Sequence, residues 1–254
     1  MIESDILAVV FCFSCLIYAS GMDIKSRSVT NRLWVLMIAV GIPLAIYNIL
    51  IYRIPFLILL TFSLLFTFAL SYLFFRLNLF GGADAKSLIC ISLLIPTHPC
   101  FHFFSHHFPI SSSLNTGLIL FPFAISTLLN ATILTFIVLL ALFCYNLLNL
   151  RLDELSENVR YAFIGYKLHV DKLTDLKHTR LVHSYEEKEG KLEKKFAFGG
   201  VEIDEGEIEK LKNYAVEGKL GEEVWVTPDL PFILFITAGF VISFLYGNFL
   251  FVFV

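Results

Sequence analysis

Apolar residues fall into six long runs along the chain, and the spacing of these runs predicts the architecture. A helix that crosses a bilayer needs about 20 mostly apolar residues. On that measure the sequence predicts six transmembrane helices, over residues 6–22, 31–51, 54–75, 84–96, 118–148 and 232–254. The fourth run is short, so we expect residues 79–83 to lie at membrane depth before it, or its helix to continue beyond Pro96.

Charged residues are concentrated between the fifth and sixth runs. Residues 151–231 hold 13 of the 19 Lys and Arg residues and 18 of the 22 acidic residues. Their composition predicts strands over 180–185, 192–198 and 223–227, with a hairpin turn at 187–190. Asp204 followed by Glu207 predicts the start of a helix that ends at Gly218.

The predicted fold class is an α-helical polytopic membrane protein, in which six transmembrane helices carry a small α+β cytoplasmic domain between helices 5 and 6. The membrane domain comprises residues 1–150, the soluble insert residues 151–231, and the last helix, residues 232–254, completes the membrane domain. Composition agrees, since 57% of the 254 residues are hydrophobic, only 16% are charged, and the mean hydropathy is +0.76. The sequence shows no Gly-rich phosphate loop and no nucleic-acid-binding motif, so we expect no nucleic-acid partner.

The distribution of basic residues predicts the orientation in the membrane. Lys and Arg are in excess in the cytoplasmic loops of membrane proteins. With six helices, 18 of the 19 Lys and Arg residues fall on one side, and Arg53 alone falls on the other. We therefore expect a multi-pass protein of the cell membrane, with both termini outside and the insert in the cytoplasm.

Two aspartates stand apart because they are the only acidic residues between residues 6 and 152. Asp23 lies at the end of the first apolar run and Asp84 at the start of the fourth. Each alone is compatible with a solvated helix end or an ordinary helix cap. In the predicted topology, however, both lie at the cytoplasmic ends of their helices, and a carboxylate at membrane depth is costly enough to indicate a function.

Paired carboxylates predict acid–base chemistry on a water molecule. Two carboxyl groups at hydrogen-bonding distance share one proton, so that one acts as base and the other as acid, and amide hydrolysis by such a pair needs no metal. We therefore predict Asp23 and Asp84 as catalytic residues. Gly81 and Gly82, followed by Ala83, would support the site by letting the backbone turn tightly and approach a neighbouring helix or an extended substrate.

Three basic residues near the pair are candidates for tuning its charge or contacting substrate. Lys25 and Arg27 follow Asp23, and Lys86 lies about half a turn after Asp84. The alternative for Lys86 is an interface lysine that extends its ammonium to the lipid headgroups.

At these residues the sequence resembles the archaeal preflagellin and prepilin peptidases, which belong with the bacterial type IV prepilin peptidases among the GxGD membrane aspartic proteases. Residues 81–84, GGAD, are similar to the family's Gly-x-hydrophobic-Asp signature. Asp23, Arg27, Val29 and Asn31 are similar to its first catalytic segment, D-x-x-x-R-x-V-x-N. Residues 225–232, WVTPDLPF, resemble the stretch that leads into its last helix.

The resemblance implies an aspartic endopeptidase that removes short basic leader peptides from preflagellins or prepilins, precursors of the archaeal flagellum and pili, at the cytoplasmic membrane face. It implies no cofactor and no metal, and Ala83 at the third motif position fits the archaeal variant. The chain lacks the four-cysteine domain of many bacterial relatives, which implies a peptidase without methyltransferase activity. The expected partners are the precursors and membrane lipid, and the oligomeric state stays open.

Other interpretations remain alongside this one. Intramembrane aspartates also occur in ion- or proton-coupled transporters, and a third class would use the helices only as an anchor for the insert. His98, His102 and His106 recur every four residues, which would form a metal site on a helix, whereas Pro99 and Pro109 favour an interfacial loop. The five Cys residues, including Cys12 and Cys15, are expected to pack in the helices, and Asn130 to bond between helices.

Overall fold

A computed structural model describes residues 2–103, 106–109, 121–175, 178–188 and 191–249. The chain forms two compact units, each with its own hydrophobic core. The first comprises Met1–Thr135 and Pro231–Val254, and the second comprises Phe136–Leu230. The division of the chain into membrane-embedded and soluble parts at residues 150 and 231 stays a prediction.

The described elements are mostly helices, with a small antiparallel sheet toward the C-terminal end. In chain order they are helices α1 (Ile2–Ser26), α2 (Asn31–Arg76) and α3 (Gly82–Leu94), strands β1 (Phe101–Phe103) and β2 (His106–Phe108), helices α4 (Phe123–Asn149), α5 (Leu152–Glu157) and α6 (Val159–Ile164), strand β3 (Tyr166–His169), a 3-10 helix (Val170–Asp175), strands β4 (Thr179–Lys188) and β5 (Lys191–Glu202), helix α7 (Glu205–Val216), strand β6 (Glu223–Pro228) and helix α8 (Phe232–Leu245).

Helices therefore occupy all six predicted spans, but their bounds differ. Within the described residues, three helical stretches are long and apolar enough to cross a membrane, namely Asp5–Ser26, Asn31–Arg76 and Phe123–Asn149. Helix α3 ends at Leu94, so it does not continue beyond Pro96. Helix α8 has 14 residues and ends at Leu245, and the predicted ends at 118–120 and 250–254 lie outside the described residues.

Helix α2 is two helices joined at Arg53, where the backbone leaves helical geometry with φ 55° and ψ −136°. A straight helix of its 46 residues would measure about 69 Å. Yet the Lys86 ammonium donates a hydrogen bond of 2.7 Å to Asn31 Oδ1, at the start of α2. The ten residues from Arg76 to Lys86 reach about 35 Å at most. The chain therefore reverses at Arg53, where the sequence predicts the break between helices 2 and 3.

The core of the first unit is formed where α1, α3 and α8 meet. Cys12 and Leu16 of α1, Ile91 of α3 and Phe240 of α8 are at most 1% exposed. Cys12 thus packs as an apolar residue, as the sequence predicts. Helix α8 also approaches α4 closely, because a Cβ atom at Gly239 would lie 2.5 Å from the Thr127 carbonyl oxygen. Small residues at such crossings let helix backbones come together in a membrane.

Asn130 joins α4 to the end of α8. Its Nδ2 donates to Ser243 Oγ at 2.8 Å and to the Gly247 carbonyl at 2.9 Å. Its Oδ1 accepts a bond of 3.0 Å from the Phe249 amide. The predicted hydrogen bonding of Asn130 between helices is confirmed.

The sheet of the second unit has four antiparallel strands in the order β3-β6-β4-β5. The three predicted strands correspond to β4, β5 and β6, although each strand is longer than predicted. The Asp204 carboxylate accepts a bond of 2.7 Å from the Glu207 amide at the start of α7, and that helix ends just before Gly218. Strand β3 and helices α5 and α6 are absent from the prediction.

The two faces of this sheet are covered by different elements. Val224 and Val226 pack in one cluster with Leu211 of α7. Trp225, between them in sequence, packs instead with Ala162 of α6. Because neighbouring residues of a strand point to opposite faces, α7 and α6 lie on opposite sides of the sheet.

His183 of β4 is a buried polar side chain in the second unit. Only 1% of it is exposed, and both ring nitrogens have no hydrogen-bond partner among the described residues. The Tyr161 ring lies edge-on to it at 4.5 Å. Burial, and secondarily the positive charge of Lys194, lower the pKa of His183 to about 4.

We expect the protein to lose stability on mild acidification because of His183. A lowered native pKa means that the unfolded chain binds the proton first, so the stabilisation is complete above about pH 6.5 and is lost as the pH falls toward 4. At pH 5 the free energy of unfolding should be about 2 kcal/mol below its value at pH 7.

Thermal unfolding at the two pH values measures this effect. His183→Phe should flatten the pH dependence, whereas His169→Phe, at the exposed last position of β3, should retain it. An unchanged dependence in His183→Phe would assign the acid sensitivity to other groups.

Candidate active site

Asp84 lies in the first turn of α3 and is buried, with 9% of its surface exposed. Its Oδ2 accepts a bond of 2.9 Å from the Gly81 amide, just before the helix begins. The Ala85 amide in turn donates to the Gly81 carbonyl at 3.3 Å. Asp84 therefore closes the helix end, as an ordinary cap would, and the positive end of the helix dipole favours its negative charge.

Asp23 lies in the last turn of α1 and is partly buried. Its carbonyl oxygen accepts a bond of 3.0 Å from the Arg27 amide, where α1 ends. The carboxylates of Asp23 and Asp84 lie close enough for their negative charges to interact. The fold thus places two aspartates that are 61 residues apart along the chain within range of electrostatic interaction, and their action as a catalytic pair stays a prediction.

The predicted supporting residues Gly81, Gly82 and Ala83 differ in how much space surrounds them. A Cβ atom at Gly81 would lie 3.1 Å from Asp84 Oδ2, which is closer than ordinary contact. At Gly82 the nearest atom would be a Phe75 ring carbon at 3.8 Å, an ordinary contact distance. Ala83 packs against the core of the unit. Gly81 is therefore the position at which a side chain would disturb the carboxylate.

The predicted basic residues lie around the same helix ends. Lys25 is exposed in the last turn of α1, and Arg27 has a positive φ of 51° at the bend into α2. The exposed Lys86 donates to Asn31, the last residue of the segment that begins at Asp23. Lys86 thus joins the two motif segments, whereas a role for any of the three in tuning or substrate contact stays a prediction.

A pair of buried hydroxyl groups joins α1 to α8 one turn before Asp23. Ser20 Oγ and Thr237 Oγ1 lie 2.8 Å apart, and both residues are buried, with 5% and 8% of their surfaces exposed. Thr237 also lies 2.9 Å from the Ile233 carbonyl oxygen of its own helix. The sequence does not predict this contact, because the only signal of each residue is a hydroxyl group within an apolar run.

Aromatic residues connect the segment before Gly81 to the start of α8. The Phe80 ring lies edge-on to Phe74 at 5.0 Å and packs against Phe232 at 5.3 Å. Phe232 is the last residue of the WVTPDLPF stretch. Helix α8 therefore contacts the Asp84 segment as well as the Asp23 helix.

The histidines that would form a metal site on a helix do not lie on one, as the alternative of a non-helical loop implied. Residues 101–103 and 106–108 form the antiparallel strands β1 and β2, in which His102 pairs with His107. His98 Nε2 is hydrogen-bonded to Ser126 Oγ at 2.8 Å. Among the residues that the structure describes, no group of three or more His, Cys, Asp or Glu is placed to hold a metal ion.

A cavity of about 220 Å³ lies at the other end of these helices. It is lined by Asp5 near the start of α1, by Asn48 and Tyr52 before the reversal of α2, and by residues 94–99, which begin with the last residue of α3. It is therefore separate from the aspartate pair, which lies at the end of α1 and the start of α3.

Comparisons with known proteins match the chain along nearly its whole length. Residues 10–140 match the model of the type IV leader peptidase family, and residues 157–249 match the Archaeal Peptidase A24 C-terminus Type II. A preflagellin peptidase of Methanococcus maripaludis is 27% identical over 92% of both chains. Those of Methanocaldococcus jannaschii and Methanococcus voltae are 26% and 29% identical, over at least 90% of each chain.

The Ser20–Thr237 contact should contribute to the free energy of unfolding. Thr135 is a matched residue whose hydroxyl group bonds only within its own helix. Thr237→Val keeps the shape of the side chain but removes the interhelical hydroxyl contact, so we expect a loss of about 1 kcal/mol. Thr135→Val removes only a bond to the Ala131 carbonyl within α4, and should have a smaller effect.

Thermal unfolding of the purified variants measures the difference. In Ser20→Ala, the further substitution Thr237→Val should cost less than it costs in the wild type, because the shared contact is already absent. Equal costs in both backgrounds would show that the two hydroxyl groups act independently.

Proposed function

The chain belongs to the type IV leader peptidase family, and on that premise we propose that it is an aspartic endopeptidase of the GxGD class. It removes leader peptides from preflagellin- and prepilin-type precursors. The observation that supports this proposal is that Asp23, at the end of α1, and Asp84, at the start of α3, lie within range of electrostatic interaction and are the only acids between residues 6 and 152.

The proposed mechanism uses the two carboxyl groups with one shared proton. The ionised carboxylate takes a proton from water while the water oxygen attacks the scissile carbonyl carbon, and the protonated carboxyl group donates to the carbonyl oxygen. Proton donation to the nitrogen then lets the C–N bond break and the amine leave. Because the two charges interact, the pair should titrate as a unit.

The surroundings of Asp84 suit this chemistry. A low-dielectric environment strengthens the coupling between two charges, and Asp84 is only 9% exposed in an apolar helix interface. Asp23 is more exposed, at the end of α1 where the chain bends toward α2. The pair thus combines a buried carboxylate with one that water can approach.

The relatives named preflagellin peptidase supply the substrate class. We propose that the substrate carries a short basic leader before an apolar helix, which docks among the apolar helices and leaves its scissile bond beside the aspartates. Residues 151–231 carry 18 acidic and 13 basic residues, a net charge of −5. That charge favours the approach of a basic leader.

The proposed topology has six spans, both termini outside, and the aspartates and insert on the cytoplasmic side. The reversal of α2 at Arg53 supports this count, because it returns the chain to the side from which α2 began. The single basic residue Arg53 then lies outside, as the positive-inside rule predicts. The transporter hypothesis is not favoured, because the family and the named relatives are peptidases.

Replacing either aspartate should abolish cleavage. We expect Asp23→Asn and Asp84→Asn each to lower kcat at least about a thousandfold, because a neutral amide neither takes nor donates the proton. The assay follows cleavage of a preflagellin by the purified, reconstituted protein. Asp5→Asn is the matched control, since Asp5 lies at the opposite end of α1.

Two results would count against the proposal. Full activity of one aspartate variant would remove that residue from the mechanism. A well-folded wild type that leaves several preflagellins and prepilins intact would remove the proposed activity itself.

Gly81 should tolerate a methyl group less well than Gly82 does. In Gly81→Ala the new Cβ would lie 3.1 Å from Asp84 Oδ2, so the carboxylate must shift by a few tenths of an ångström. A misplacement of this kind at a catalytic group costs roughly tenfold or more in kcat. Gly82→Ala makes only an ordinary contact with Phe75 and should stay near wild type.

The same cleavage assay measures both variants, with KM determined separately. The expected change in Gly81→Ala is in kcat rather than KM. Equal losses in the two variants would point to a general effect of glycine replacement at the start of α3.

A further inference from the structure

The end of α4 belongs to the second unit, and helix α6 of that unit packs against it. From Phe123 to Leu150 the chain carries no charged residue, and Arg151 is the first charge after α4. Leu148, near the end of α4, is 85% exposed, as expected for a side chain that faces lipid. Phe143, eight residues before Arg151, stacks on Phe163 of α6 with ring centroids 4.2 Å apart.

Asn146 holds α6 against this apolar helix end. Its Nδ2 donates to the carbonyl oxygens of Ala162 at 2.8 Å and Gly165 at 2.6 Å. These are carbonyls at the C-terminal end of α6, which lack partners within a helix. Asn146 is only 1% exposed, and its two bonds hold α6 alongside the apolar end of α4.

Strand β5 continues this surface on the same side of the sheet. The Tyr161 ring of α6 stacks on Phe196 with centroids 6.2 Å apart. The Lys194 ammonium lies 5.8 Å from the centre of the same ring. Phe196 is nevertheless 53% exposed, so the aromatic surface extends beyond α6 to the edge of the sheet.

A bulge in β5 presents a further aromatic residue. Between the pairs His183–Phe196 and Leu181–Val201, β4 has one residue and β5 has four, residues 197–200. Phe198 lies in this bulge and is 71% exposed. An exposed edge strand with large apolar side chains invites aggregation unless something covers it.

Two glycines and a hydrogen bond from Arg180 define the backbone conformation of the bulge. Gly199 and Gly200 adopt φ values of +85° and +74°, which other residues rarely adopt. A Cβ atom at Gly200 would lie 2.7 Å from Arg180 Cβ, and Arg180 donates a bond of 3.2 Å to the Gly199 carbonyl. The backbone is thus held in the conformation that presents Phe198.

We propose that α6 and the bulge of residues 197–200 form a surface that binds the lipid bilayer beside α4. Phe198 inserts at the boundary between headgroups and acyl chains, the depth at which aromatic residues of membrane proteins are enriched. Arg160 and Lys194, both exposed, face the lipid phosphates. The occupant is lipid because α6 is already fixed to the uncharged end of a membrane helix.

Tryptophan placed at position 198 tests this contact directly. Phe198→Trp keeps an aromatic residue at an exposed site, and Val216→Trp is the matched control. Val216 is 88% exposed at the end of α7, which covers the opposite face of the sheet. The full-length proteins are reconstituted in lipid vesicles, and the emission of wild type, with Trp34 and Trp225, is subtracted.

Lipids brominated near the glycerol end of the acyl chain should quench the tryptophan introduced at position 198 and leave the one introduced at position 216 unchanged, whereas aqueous iodide should do the reverse. Iodide quenching of both positions to the same extent in vesicles would overturn the proposal.

A photocrosslinking benzoylphenylalanine at position 198 gives a second measurement in the same vesicles. Lipid adducts at that position support the contact. Their absence, beside an equally efficient reaction at a lipid-facing position of α4, contradicts it.

Discussion

The structure depends on placing one carboxylate in an apolar helix interface. Burying the carboxylate of Asp84 is costly unless a hydrogen bond and a favourable field compensate. The Gly81 amide and the start of α3 provide both, because the bend before the helix points an N–H at Oδ2. A second carboxylate nearby then has a strong effect, since the charges interact through a medium of low dielectric constant. The position of Asp23 therefore matters more than it would at a protein surface.

The rest of the first unit positions the end of α1 beside the start of α3. Helix α2 reverses at Arg53, so that its two ends return to the same side. The Ser20–Thr237 contact holds α8 against α1 one turn before Asp23. The Ser20–Thr237 and Lys86–Asn31 hydrogen bonds join residues far apart in sequence, and with the reversal of α2 they bring the end of α1, both ends of α2 and the starts of α3 and α8 to one side. If any one of these helices moved alone, the position of Asp23 relative to Asp84 would change.

The site was predictable in part because acids are rare in apolar runs. Asp23 and Asp84 stand out by composition alone, and Arg53 marks the break in α2 because it is a charge between two apolar runs. Ser20 and Thr237 were not predictable, since their contact joins residues 217 apart and hydroxyl groups are common in membrane helices. Helices α5 and α6, of six residues each, are too short to leave a periodic pattern. Packing on α4 stabilises α6, and no local signal reveals it.

The length of α3 has a consequence for the surrounding membrane. In the proposed six-span topology α3 crosses the bilayer, and its 13 residues measure about 20 Å, roughly 10 Å less than the hydrocarbon thickness of an ordinary bilayer. A helix with such a hydrophobic mismatch thins the lipid around it or recesses its ends below the headgroups, at a cost that grows with each ångström. The thickness of the host membrane thus becomes a physical variable of the site. Lipids with longer chains would deepen the recess above Asp84, and those with shorter chains would bring it nearer to water.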